Sequence, residues 1–215
     1  MTARPLVATG LDYDPDLACR HLADSDPTLG ALIARVGSFD LRPRPTQSLF
    51  AAIARAIVYQ QLSGSAASTI LNRVRAIYAP KRFPTPRDIL ETPVERLRAA
   101  GLSTAKTAAL RDLAQKCLDG TVPSMARVRR MTDEQIVESL IQVRGVGRWT
   151  AEMLLMFRLG RGDVLPVSDL GIRKGFALTF GVRRLPAAVT IVRRAERWRP
   201  YRSVACWYLW RALDT

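Results

Sequence analysis

Apolar residues recur along this chain three and four positions apart, and start and stop residues interrupt them at helical distances, while the period-two alternation of an exposed strand is scarce. Leu49, Phe50, Ile53, Ile57 and Val58 make one apolar stripe behind Thr46, and the pattern repeats from Ala66 to Tyr78 until Pro80 stops it. Thr92-Pro93 opens a short helix that closes at Gly101. Ser103 caps the next, which runs to Gly120, and Thr132 with Gln135 forms a capping box for the one after. The run SLIQVRGVGRWTAEMLLMF follows, helical in period at both ends and broken in the middle by RGVG. Trp149 to Leu159 is helical again and Gly160 ends it. The loop RGDVLPVSD leads to a helix from about Leu170 to Phe180, then a break from Gly181 to Pro186, then two last helices parted at Pro200. The pattern predicts a mostly α chain without internal repeats. Its first forty-odd residues, crossed by Pro15, Pro27, Pro43 and Pro45, are the least legible and leave room for a short strand or two.

Composition narrows the partner. At 215 residues and 48% hydrophobic, the chain can bury a core as one globular unit or two close lobes. A net charge of +14 and a pI of about 10.9 favour a polyanion, either nucleic acid or an anionic membrane surface. Residues 141–215 carry fourteen basic and five acidic side chains, residues 1–40 three and six, so the basic character belongs to the C-terminal part. Cys19, Cys117 and Cys206 are odd in number and far apart, which argues against a disulfide framework, a zinc site or an iron-sulfur cluster and for a reducing, cytoplasmic home. No apolar run reaches the roughly 18 residues of a membrane span, and residues 1–10 hold no signal-peptide core, so a soluble, unprocessed chain is expected.

The broken run carries the first candidate chemistry. Gly145 and Gly147 flank Val146, so the turn can take positive φ and bring bare backbone against another molecule. Amides at the start of the following helix, with the positive end of its dipole, make an anion site suited to phosphate. Carbonyls on the other side of the hairpin could hold a monovalent cation. Taken alone, a GVG between helices fits close helix packing equally well.

Wider context separates the two. LIQVRGVGRWTAEM followed by LPVSDLGIRKG resembles the helix-hairpin-helix DNA glycosylases. IVYQQLSGSAASTI and ERWRPYRSVACWYLW resemble their alkylpurine branch, the 3-methyladenine DNA glycosylase II family. The four blocks span residues 57 to 210 in order. The resemblance implies an all-α, two-lobed fold, with residues 46–164 as one lobe and residues 1–45 packing with 165–215 as the other, the active site lying in the cleft. Too few residues precede Thr46 for the N-terminal β domain of some bacterial relatives. The implied activity is base-excision repair by a monomer that needs no cofactor: an alkylated purine such as 3-methyladenine or 7-methylguanine is flipped out of double-stranded DNA and its N-glycosidic bond hydrolysed.

Roles follow from the resemblance residue by residue. Asp169 matches the catalytic aspartate; at a helix start it is also a natural N-cap, and one carboxylate can do both jobs by stabilising the cationic sugar or orienting water. Trp149 stands where relatives with lyase activity carry a nucleophilic lysine, which implies a monofunctional hydrolase. Trp149 and Trp210 match the base pocket, where electron-rich indoles suit positively charged alkylpurines. Met153 replaces a pocket tyrosine of a close relative, which opens the question of substrate range, and Tyr59 could add an aromatic from another direction. Gln61 matches the wedge that fills the vacated stack, with Leu62 beside it. Gly145, Gly147 and Thr150 match phosphate contacts, with Arg148, Arg173, Lys174 and Arg202 as further candidates. The carbonyls of Ile141, Val143 and Val146 match ligands of Na+ or K+ at the hairpin. Asp163 reads as a surface residue, and His21 is a poor catalytic candidate. Two rivals remain. One is a noncatalytic DNA-binding module that uses only the hairpin. The other is a glycosylase for oxidised, deaminated or mismatched bases, disfavoured by the missing lysine at Trp149, the lack of a C-terminal cysteine cluster and the paired tryptophans.

Overall fold

The computed structural model describes residues 10–44 and 48–214. Among these residues there is no strand. The helices are α1 (Pro15–Ser25), α2 (Pro27–Val36), α3 (Leu49–Tyr59), α4 (Gly64–Ala76), α5 (Pro86–Glu91), α6 (Val94–Ala99), α7 (Thr104–Leu118), α8 (Met125–Val128), α9 (Asp133–Leu140), α10 (Arg148–Phe157), α11 (Leu170–Thr179), α12 (Ala188–Ala195) and α13 (Arg202–Arg211), with a 3-10 turn at Glu196–Trp198 before the last. The room left for strands near the N-terminus is filled by two helices over the described part. Pro15 and Pro27, which read as interruptions, are N-terminal helix residues: Asp14 accepts the amides of Asp16 and Leu17, and Asp26 that of Leu29. The Thr46 start lies outside the described residues, and Ser48 caps α3 by accepting the Ala51 amide. No helix of the described residues is long and apolar enough to cross a membrane.

The chain divides into two compact units. The first holds residues 48–154 and the second residues 10–44 with 155–214, so the division falls inside α10 and not after residue 164. In the first unit α3, α5 and α6 pack on α7, whose Ala109, Leu110, Leu113 and Ala114 are buried. Arg111 on α7 donates to the carbonyls of Ile89, Leu90 and Thr92, satisfying the end of α5.

In the second unit α13 is enclosed, with Val204, Ala205, Cys206 and Leu209 fully buried, each large one worth about 1.5–3 kcal/mol relative to exposure. Helices α1, α2 and α11 pack on it. The approach of α11 is closest at Gly175, where an added Cβ would lie 1.9 Å from the Leu209 carbonyl oxygen. A buried charge ties α2 to the C-terminal part: Asp26 accepts Arg194 Nη2 and Nε at 2.7 and 2.8 Å and the Trp198 indole N–H at 3.0 Å.

Candidate active site

In the first unit α3 ends at Tyr59, Gln60 turns the chain, and Gln61 takes φ +56°, the one positive φ at a non-glycine residue among those described. That left-handed conformation costs roughly 1–2 kcal/mol. No core packing repays it, because Gln61 is exposed and Leu62 is 39% exposed. Ser63 then caps α4 by accepting the Ala66 amide.

The glycine hairpin joins α9 to α10. Val143 and Val146 are its buried pegs, and the Val146 amide donates to the Val143 carbonyl at 3.0 Å. Gly145 supplies the positive φ of the turn, +75°, and Gly147 does not. What Gly147 provides is clearance, since a Cβ there would meet nothing within 4 Å and the backbone stands open at the positive end of the α10 dipole. Thr150 is half-buried in that first turn and Ile141 is exposed. Two side chains brace the hairpin. Asp112 accepts the Arg144 amide at 2.7 Å, and Gln60 Nε2 donates to the Gly145 carbonyl at 2.9 Å. Burial alone would raise the Asp112 pKa, but the bonds from the Arg144 amide and Lys116 outweigh it and hold it below the usual carboxylate value.

Trp149 opens α10 with 47% of its surface exposed, and Met153 is half-buried one turn on. Tyr59 has one ring face covered, the Arg55 guanidinium carbon lying 4.1 Å from its centroid. Arg148 is already engaged, with Glu134 and with Glu152, so a phosphate would have to compete for it.

The second unit carries Asp169 as the N-cap of α11. Its Oδ1 accepts the Ile172 amide at 2.8 Å and the Trp210 indole N–H at 2.9 Å. Two donors converging on one oxygen fix the plane of the carboxylate. Trp210 therefore touches the aspartate itself, and its ring lies 5.7 Å from that of Phe157. Gly171 makes this possible, since a Cβ there would stand 2.8 Å from Trp210 Cδ1 and 3.0 Å from Asp169 Oδ1. Sequence reasoning missed Gly171 and Phe157; the signal available was the glycine two positions after the aspartate in SDLGIRKG.

The loop before Asp169 is held from α13. Ser203 accepts the Val164 amide at 3.0 Å and donates to the Arg161 carbonyl at 2.7 Å. Asp163 is no bystander at the surface: it accepts Arg199 and Arg202, both at 2.6 Å. Arg202, with its side chain 13% exposed, is thereby a brace for the loop and not a spare phosphate contact. Arg173 donates to the Pro186 carbonyl at 3.2 Å, and Lys174 is exposed. His21 packs edge-on against Tyr201 with ring centroids 5.4 Å apart. Among the described residues no acidic, histidine and cysteine side chains cluster as a metal site would require.

Comparison with known proteins places these features in a family. Residues 54–200 match the HhH-GPD superfamily base excision DNA repair protein family. The chain is similar to DNA-3-methyladenine glycosylase 1 of Schizosaccharomyces pombe, with 35% identity over 196 residues covering 89% of this chain and 84% of that protein. Among solved structures it is similar to the S. pombe 3-methyladenine DNA glycosylase in complex with abasic DNA, with TM-score 0.78, 34% identity, and 93% and 97% of the two chains covered. It is also similar to DNA-3-methyladenine glycosidase from Bacillus halodurans, with TM-score 0.84, 31% identity, and 92% and 89% covered.

Proposed function

The chain belongs to the HhH-GPD superfamily of base excision DNA repair proteins and, within it, to the 3-methyladenine DNA glycosylase II family, and on that premise we propose how its own residues release an alkylated purine from DNA. It is a DNA-binding N-glycosyl hydrolase of base-excision repair. In the proposed reaction the C1′–N bond breaks with its electron pair going to the purine, which leaves as the free base. Water adds to C1′ and loses its proton, leaving an abasic site. Asp169 faces the cationic sugar formed between these events and stabilises it. An alkylated purine carries positive charge, so it is a good leaving group that needs little help from an acid.

Trp149 offers no amine for a Schiff base, so the reaction stops at hydrolysis. Its exposed indole suits cation-π contact with the flipped base, while Trp210 orients Asp169 in addition to any contact with base. Gln61 fills the vacated stack, and the open backbone at Gly147 with the α10 amides receives a phosphate. The carbonyls of Ile141, Val143 and Val146 would hold Na+ or K+, which would supply positive charge for phosphate binding; Val143 already accepts one hydrogen bond and keeps a second lone pair. The enzyme acts as a monomer on double-stranded DNA.

The observation that supports this reading most is the Asp169 carboxylate held by the Ile172 amide and the Trp210 indole. The experiment is Asp169→Asn, assayed for base release from DNA containing 7-methylguanine, 3-methyladenine, hypoxanthine or 1-methyladenine, alongside duplex affinity. Release is expected to vanish while affinity stays within about threefold. Release retained in full would remove Asp169 from the chemistry, and duplex binding by a wild-type chain that releases no base would favour a noncatalytic DNA-binding module. A wild-type chain releasing only hypoxanthine would move the assignment to deaminated bases.

A further inference from the structure

Lys106, Ala109 and Asp112 stand three residues apart on α7 and so share one face of it. Each reaches a different part of the surface that carries Gln61 and the hairpin. Lys106 Nζ donates to the carbonyls of Val58 and Gln60 at 2.7 and 2.8 Å, closing the C-terminal end of α3. Ala109 Cβ lies 3.7 Å from where a Cβ on Gly145 would be. Asp112 accepts the Arg144 amide. Gln60 completes the ring by donating its side-chain N–H to the Gly145 carbonyl across 85 residues of sequence.

Capping the end of α3 accounts for Lys106, but fold stability gives little reason for the Gln60 bond. The Gln60 to Gly145 bond is exposed to water, where a hydrogen bond gains little over solvent. Lys106 is partly withdrawn from water, which lowers its pKa, yet no carboxylate pairs with it among the described residues. Both side chains instead fasten the residues that lead into a backbone strained at Gln61. Strain of that kind persists only where the surroundings over-determine it, and the surroundings here are the hairpin and α7.

We infer that Gln60 and Lys106 are positioning residues that lock the Gln61 turn in fixed register with the 144–147 hairpin. The side chain entering the base stack and the amides meeting the phosphate are then set as one rigid piece. The inference rests on the reading of Gln61 as wedge and of the hairpin as phosphate site. A swung-out base tends to restack, and a wedge on a slack turn yields to it, whereas one pinned to the phosphate grip can retreat only by breaking the bond to Gly145.

The test is single-turnover release of methylated purines by the full chain, from duplex and from single-stranded DNA, the latter having no stack to fill. Wild type, Gln60→Ala, Gln61→Ala and the double variant are compared, with Lys106→Met and Lys106→Arg. Gln60→Ala is expected to slow duplex release about tenfold and single-strand release about twofold or less. Placed on Gln61→Ala it should cost about nothing more, because both act through one insertion. Lys106→Met should follow Gln60→Ala, and Lys106→Arg should recover most of the rate since a guanidinium can still donate to both carbonyls. Equal losses on the two substrates, or additive losses in the double variant, overturn the inference and leave the glycosylase reading standing. A wild-type chain that releases no methylated purine from either substrate overturns that reading, and this inference with it. If Gln60→Ala does not fold, the Lys106 pair carries both comparisons.

Discussion

The indole nitrogen of Trp210 donates to Oδ1 of Asp169 at 2.9 Å because nothing stands on Gly171 to keep the ring away. Helices α11 and α13 thus meet through two glycines one turn apart. Gly175 admits the Leu209 carbonyl and Gly171 admits the indole. Backbone contact at the first brings the aromatic to the aspartate at the second.

Gly171→Ala is therefore expected to act on chemistry more than on binding. Its Cβ displaces the indole, and base release should fall about a hundredfold, the scale of a misplacement near 1 Å. Stability should drop by about 1–3 kcal/mol from overpacking. Single-turnover rates, duplex affinity and denaturant melts separate these effects; an unchanged rate would remove Trp210 from the positioning of Asp169.

The two hairpin glycines should part company. Gly145→Ala forces φ +75° on a Cβ residue and should lose about 1–2 kcal/mol of stability. Gly147→Ala meets no neighbour, so its melt should shift by less than about 0.5 kcal/mol while duplex affinity at fixed salt falls about tenfold. Unchanged affinity in Gly147→Ala would place the phosphate elsewhere.

Trp149→Ala removes an exposed ring and should change stability by less than about 1 kcal/mol. Release of cationic 7-methylguanine should fall further than release of neutral hypoxanthine, by about tenfold between the two. Equal falls would assign the indole to shape and not to charge.

Asp26→Asn should cost about 1.5–3 kcal/mol, because it removes the charge of a fully buried carboxylate that accepts from Arg194 and Trp198. Burial alone would raise the Asp26 pKa, but the hydrogen bonds from Arg194 and Trp198 prevail and hold it below its ordinary value. A carboxylate depressed in this way stabilises the fold above the unfolded pKa of about 3.9 and loses that contribution as pH falls through the folded value. Wild-type stability should thus decline below about pH 4 more steeply than that of Asp26→Asn, as measured by urea midpoints against pH.

What was legible in the sequence was local. The Thr132 and Gln135 capping box, the Ser103 cap and the stop at Gly160 each depend on residues within one turn, and each stands where the pattern puts it. Asp169 showed itself as an N-cap for the same reason. Pro15 and Pro27 misled because proline disrupts the middle of a helix and suits its first turn, and the aspartates just before them were the cue for the second case. Pro86, preceded by Thr85 and followed by Asp88 in a capping box, hid α5 likewise. The demands on Gly171 and Gly175 come from α13, more than thirty residues away, and the engagement of Arg202 comes from Asp163. No spacing rule reaches contacts of that separation.

The unit that holds Asp169 is assembled from both sides of the other one, with residue 26 bonded to residues 194 and 198. On a ribosome the intervening helices can reach their own packed state while α1 and α2 still wait for a partner that has not been made. The Asp169 carboxylate, bonded to Trp210, is consequently among the last features to settle into place, and chains released before α12 and the 3-10 turn are synthesised would carry a finished hairpin and an Asp169 without its indole partner.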